Sequence, residues 1–211
     1  MHDPQNPYFW EILLFFLGTI IVVVAVLIAA KRKPLGCQLL EEQAKKRNGR
    51  FQEGISTTPS EYCRLLFDIQ GIEVCVSLIP YEQYTPYKSH FQFEVSLAQV
   101  FNFKIYRKSR LNKFGKLLGI RYVQAGNPNF DNQFMIECRH EDFIHRFLTT
   151  DLQSKLIEIY LYRCPRITFK NRIFCFSIDG IPSDPYDMDQ FLETGIIQLR
   201  RLLELRDTFI P

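Results

Sequence analysis

"HFQFEVSLAQVFNFKIYRK", His90 to Lys108, sets Phe91, Phe93 and Val95 at alternate positions and then repeats the pattern with Phe101, Phe103 and Ile105. Successive side chains of a strand point to opposite sheet faces, so this period-two spacing of aromatic and β-branched residues predicts two half-buried antiparallel strands. The same alternation extends outward in both directions. Toward the N-terminus lie "EYCRLLFDI" (Glu61 to Ile69), bounded by Gly71, and "IEVCVSLI", which stops before Pro80. Toward the C-terminus lie "QFMIEC", with Phe134, Ile136 and Cys138 in step, and a hairpin made of "RITFKN" and "RIFCFSIDG" around Asn171. The cluster "QAGNPNFDN", with Gly126, Pro128 and Asp131, is expected to be a turn.

Between and after these runs the spacing becomes helical. "EDFIHRFLTT" and "DLQSKLIEIYLY" carry apolar residues three and four apart, with Thr149 or Thr150 placed to cap the second helix. From Pro185 to Asp207 the positions Met188, Leu192, Ile196, Leu199 and Leu203 form one stripe, with Asp184 as N-cap and Pro185 in the first helical position. The expected architecture is α+β: an antiparallel sheet of about six to seven strands packed by helices, including a long C-terminal amphipathic one. The order contains no βαβ alternation and no glycine-rich phosphate loop, which argues against a dinucleotide-binding or P-loop fold.

The chain has 211 residues, 46% hydrophobic and 23% charged, a globular balance that excludes wholesale disorder. The 19 Phe and 10 Tyr favour packed β-structure over a coiled coil. Cysteines stand at 37, 63, 75, 138, 164 and 175 without a CxxC pair, so the expectation is reduced, mostly buried thiols rather than a disulfide framework or a zinc ribbon.

A different pattern occupies the N-terminus. Ile12 to Ala30, "ILLFFLGTIIVVVAVLIAA", holds no charge. About 20 apolar residues at 1.5 Å each match the ~30 Å hydrocarbon core, and helical backbone satisfies its own polar groups there. Tyr8 and Trp10 precede the run, and Lys31, Arg32 and Lys33 follow it. A secretory signal peptide would carry its cations before the apolar core, whereas here Asp3 and Glu11 stand there. The sequence therefore predicts a transmembrane helix over 12–30 in the inner or plasma membrane, a short extracytoplasmic N-terminus over 1–11, a basic juxtamembrane stalk or helix over 31–53, and a cytoplasmic α+β domain over 54–211. The orientation follows from retention of Lys and Arg on the cytoplasmic side. Cys37, just past the cations, is placed as a juxtamembrane acylation site would be.

Two clusters raise the question of chemistry. "CRHEDFIH", Cys138 to His145, holds a thiol, two imidazoles and two carboxylates. A helical zinc site needs histidines four apart on one face. His140 and His145 are five apart, which at 100° per residue points the rings about 140° from each other. The residues are accounted for as a strand end followed by the acidic first turn of a helix. No catalytic, cofactor-binding or metal-binding residue is assigned. The second cluster is "KIYRKSRLNKFGKLLGIR", where Lys104, Arg107, Lys108, Arg110, Lys113, Lys116 and Arg121 occur without an acid, although the whole chain is only +3. Solvated cations guarding a strand edge account for such a run. Beside an anionic leaflet, the run is also the candidate site for lipid headgroups or an acidic protein partner. No recognised nucleic-acid motif accompanies it, so nucleic acid ranks last.

On "KSRLNKFGKLLGI", "GNPNFDNQFMIE" and "RIFCFSIDG…FLETGIIQLRRLLEL", the chain resembles uncharacterised bacterial families of single-pass membrane proteins with a cytoplasmic domain of unknown function. The likeness covers most of residues 55 to 205 and implies no activity. The resulting expectation is a membrane-anchored, non-catalytic protein of interaction, scaffolding or membrane-surface sensing. The alternative is a membrane-tethered enzyme acting on lipid or phosphorylated substrates through the basic stretch, which would need a deep pocket with titratable residues beside it.

Overall fold

The computed structural model describes residues 7–30, 34–53, 63–79, 88–97, 102–108 and 122–208. The chain divides into two compact units, Met1–Pro34 and Leu35–Pro211. The first contains one helix, α1 (Pro7–Ala30), whose side chains are described from residue 13 to residue 24. Among the described residues no helix is long and apolar enough to cross a membrane.

The second unit runs α2 (Leu35–Lys46), β1 (Arg50–Glu53), β2 (Cys63–Ile69), β3 (Ile72–Ile79), β4 (Lys88–Glu94), β5 (Phe103–Arg107), β6 (Tyr122–Val123), α3 (Pro128–Gln133), β7 (Phe134–Cys138), α4 (Glu141–Phe147), α5 (Thr150–Tyr162), β8 (Arg166–Lys170), β9 (Ile173–Asp179) and α6 (Pro185–Thr208). The class is α+β as the alternation implies. The strands form one antiparallel sheet in the order β1-β2-β3-β4-β9-β8-β5-β7-β6. Nine strands among the described residues exceed the expected six to seven, because β1 and β6, of four and two residues, are too short to show a period. The two alternating runs of His90–Lys108 are not neighbours in the sheet. The β8–β9 hairpin inserts between them, and Phe101 of the second run lies outside the described residues.

Register shows why the sheet needs a cover. At its mid-level Phe51, Leu65, Val76, Phe91, Phe176, Ile167, Ile105, Ile136 and Val123 face one another across all nine strands on a single face. One level away, Phe67, Val74, Phe93, Phe174, Phe169, Phe103 and Cys138 make a second, largely aromatic row. The helices close over these rows. Phe191 of α6 meets Phe176, Phe143 and Phe147 of α4 meet Phe103, and Tyr160 of α5 meets Phe134. Gly195 brings α6 so close that an added Cβ would lie 2.5 Å from the Phe91 ring. The remaining strand positions, such as Arg64, Cys75, Gln92, Lys104 and Glu137, fall on the opposite face.

Both sharp hairpins follow local chemistry. Asn171 and Arg172 take φ of 52° and 67°, the two left-handed positions of the turn that matches strand twist. Gln70 and Gly71 do likewise, with the Asp68 carboxylate accepting from the Gly71 amide at 3.0 Å. The expected caps form. Thr149 accepts from the Leu152 amide, and Asp184 accepts from the Asp187 amide at 2.9 Å.

Three expectations need revision. The segment 31–53, expected as a juxtamembrane stalk or helix, does hold a helix, but Leu39, Leu40 and Ala44 of α2 are buried in the core and β1 is the edge strand of the sheet, so the folded unit begins at Leu35. Cys37 and Cys63 are not free thiols: they form a disulfide joining α2 to β2, leaving Cys75, Cys138, Cys164 and Cys175 reduced. That bridge, with Cys37 buried, leaves no accessible thiol for acylation there. The cluster "QAGNPNFDN" is not only a turn. Asn127 caps α3 by accepting from the Asn129 amide, and Pro128 occupies its first position.

Candidate functional site

The basic stretch begins on β5, and strand geometry parts its cations. Lys104 projects from the face opposite the helices, where its Nζ lies 3.7 Å from the Glu137 carboxylate directly across on β7. The Tyr106 hydroxyl donates to the other Glu137 oxygen, and Tyr122 stands opposite Glu137 on β6. Burial, then the Glu137 hydrogen bond, push the Tyr106 hydroxyl above its ordinary range. Arg107 points to the helix-covered side. Its guanidinium lies 5.2 Å from the Tyr160 ring centroid and donates to Cys164 Sγ at 3.5 Å. Lys108 Nζ donates to the Asp131 carbonyl at 3.1 Å, and its amide to the Gln133 carbonyl at 2.7 Å, placing a cation on the carbonyl end of α3. Arg110, Lys113, Lys116 and Arg121 lie outside the described residues.

Both points where the stretch meets the sheet are fixed. On one side Lys108 is tied to α3. On the other, the Asp131 carboxylate accepts from the Ala125 and Gly126 amides at 2.7 and 3.1 Å just after β6. Register also gives the level at which β5 ends. Arg107 is paired with Phe134, at the same end of the sheet as Cys63, Leu78, Ser89 and Ile178. That is the end at which α2 starts, with Cys37 bridged to Cys63 and Gly36 against Leu78 and Ile181. The two features are separated by four to five strand spacings, roughly 20–24 Å at about 4.8 Å each.

The other candidate clusters are engaged in the fold. In "CRHEDFIH", Cys138 is buried and its Sγ accepts from the His140 amide at 3.3 Å, and Glu141 and Asp142 fill the first turn of α4. Among the described residues no group of three or more His, Cys, Asp and Glu could hold a metal ion. On the face opposite the helices Cys175 Sγ lies 3.7 Å from His90 Nδ1, a pairing that invites a nucleophile reading. Burial pushes that thiol up to about 11, and a thiol kept protonated is a poor nucleophile.

A cleft of about 20 Å³, room for about one water, is lined by Tyr162, Arg163, Ile178, Asp187 and Phe191. Its charges are already paired: Arg163 meets Asp187 at 2.9 Å and donates to the Ile181 carbonyl at 2.8 Å, while the Ser183 hydroxyl donates to Asp187 at 2.7 Å. The Ser183 hydrogen bond, with Arg163 adding to it, holds the Asp187 carboxyl below its ordinary value. The knot therefore contributes above the usual carboxylate range and weakens as pH falls through it. It is a clamp between the end of α5 and the start of α6.

One feature escaped the sequence analysis. Leu161, Tyr162 and Tyr186 are 69%, 83% and 71% exposed. The available signal was position: Tyr162 follows the last buried turn of α5, and Tyr186 stands alone among the capping residues of α6.

No protein-family model matches the chain, and no curated protein matches it.

Proposed function

We propose that the chain is a single-span membrane protein whose Leu35–Pro211 unit works on the cytoplasmic side as a non-catalytic surface module, meeting anionic lipid headgroups through the basic stretch. The anchor reading rests on the N-terminal helix. Pro7–Ala30 has 24 residues, about 36 Å at 1.5 Å per residue. From Leu13 to Val24 its large side chains are exposed all round, including Phe15 at 74% and Leu14 at 67%. A helix apolar on every face has no favourable state in water and a good one in hydrocarbon. The Thr19 hydroxyl donates to the Phe15 carbonyl at 2.8 Å, which satisfies it without solvent. Lys31 to Lys33 after the apolar run supply the orientation.

The observation that carries the lipid reading is the exit of β5. The strand delivers Arg107 and Lys108 at the same end of the sheet as the first residues of α2, where the chain arrives from the anchor. A cation near a leaflet of negative potential gains about 1 kcal/mol. Every buried hydrophobic among the described residues lies between Cys37 and Leu205, so the 35–211 fragment carries that core and can be tested alone. Charge reversal of Arg107, Lys108 and Arg110 to Glu is expected to weaken its binding to vesicles containing anionic lipid, and to flatten the salt dependence of what remains. Because Arg107 also packs on Tyr160, a variant reversing only Lys108 and Arg110 separates lost charge from lost packing. Unchanged vesicle binding in both variants, with retention on an immobilised acidic peptide lost instead, would replace the lipid surface with an acidic protein partner.

A further inference from the structure

The exposed apolar side chains of the folded unit are not scattered. Among the described residues of Leu35–Pro211, the large hydrophobics that stand open are Leu35, Leu161, Tyr162, Ile173 and Tyr186. All but Ile173 belong to one end of the helical layer. Leu35 opens α2, next to Gly36, which packs against Ile181. The Ile181 carbonyl accepts from Arg163, the residue after Tyr162, and Arg163 is paired with Asp187, the residue after Tyr186. Ile173 starts β9 beside the Asn171–Arg172 turn, at the far end of the sheet. Single exposed apolar residues are ordinary, whereas several gathered at one end indicate a contact surface.

We propose that this end, with Tyr162, Tyr186, Leu161 and Leu35, rests in the interfacial layer of the bilayer, so that the unit is docked on the membrane and not merely tethered near it. The proposal builds on the span assigned above. Its occupant is set by chain length. Residues 31–34 separate α1 from Leu35, and five residue steps cover at most about 18 Å, so the patch that includes Leu35 stays within reach of the headgroups. Its chemistry fits the same place. Tyrosine offers an apolar ring and a polar hydroxyl, which is why it concentrates at the membrane–water boundary, and leucines supply the buried area. Arg107 and Lys108 at the same end complement it with charge. The two contributions separate in experiment, since insertion of rings survives added salt and persists on zwitterionic lipid, while attraction of cations to net-anionic headgroups does neither.

The test uses the full chain in liposomes. In a Trp10→Phe background, tryptophan is introduced singly as Tyr162→Trp, Tyr186→Trp and, for comparison, Ile173→Trp. These sites are at least half exposed, so the substitutions leave the core intact. Lipids carrying a shallow nitroxide are expected to quench the reporters at 162 and 186 several-fold more than that at 173, in phosphatidylcholine alone and in high salt. Liposomes that float with the protein but leave 162 and 186 no more quenched than 173 would overturn docking and leave the span standing. Protein that does not float with liposomes would overturn the span and the docking with it.

Discussion

Gly195 stands in the middle of α6, where glycine costs about 1 kcal/mol relative to alanine, yet the position has no room for alanine. The added methyl would lie 2.5 Å from the ring of Phe91, a fully buried side chain at the centre of the sheet. Overpacking of this kind costs about 1–3 kcal/mol. Gly195→Ala should therefore lower the urea stability of the 35–211 unit by roughly 1 kcal/mol despite its better helix propensity. The double change with Phe91→Leu should recover part of that loss. A more stable Gly195→Ala protein would mean that α6 does not lie on Phe91. Three residues further along, Gln198 is fully buried with neither its Nε2 nor its Oε1 partnered. An unsatisfied buried amide costs about 1–3 kcal/mol, so Gln198→Leu should raise the denaturation midpoint. A fall would show that the amide holds a partner. Neither residue stood out from spacing, since a glycine and a glutamine inside an amphipathic stripe look like tolerated exceptions.

At the scale of elements, α2 is the part whose role departs most from expectation. Its Glu41, Glu42, Lys45 and Lys46 suggest a solvated spacer, but the stripe Leu39, Leu40, Gln43 and Ala44 is buried, and Lys46 and Arg47 reach Asp189 and Glu193 of α6. The Cys37–Cys63 bridge spans 26 residues of sequence and would stabilise the fold by roughly 3–4 kcal/mol through the unfolded chain. Reducing compartments keep such pairs open, so under the cytoplasmic placement the two sulfurs form a closable pair. Alkylation in denaturant directly from cells should then modify all six cysteines, and alkylation in denaturant after mild oxidation of the purified chain only the four outside the bridge. A bridge already closed in cells would contradict the cytoplasmic placement. Six modified thiols after oxidation would contradict the packing of α2 on β2.

The longer elements were legible because each keeps its own period: β2 to β5, β7, the β8–β9 hairpin and α4 to α6 all form near the expected residues. Strand order was not legible, because the pairing of β4 with β9 depends on which apolar rows meet, and every strand presents a similar row. Helix α3 was missed since Asn127 and Pro128 serve a helix start as well as a turn.

For the whole molecule, the decisive asymmetry lies between ends of the folded unit. One end gathers the start of α2, the exit of β5 and the open side chains of Leu161, Tyr162 and Tyr186; the other carries the Gln70–Gly71 and Asn171–Arg172 turns. Of the candidate site, the presence of cations was plain in the sequence. Their separation was not, because Lys104 and Arg107 fall on opposite faces of one strand, a consequence of register and helix placement rather than of composition. All of this acquires a function only if α1 holds the unit at a bilayer. Alkaline carbonate extraction of membranes from cells making the full chain tests that most directly. The protein should stay in the pellet at high pH and leave it only with detergent, whereas release into the carbonate supernatant would contradict the account.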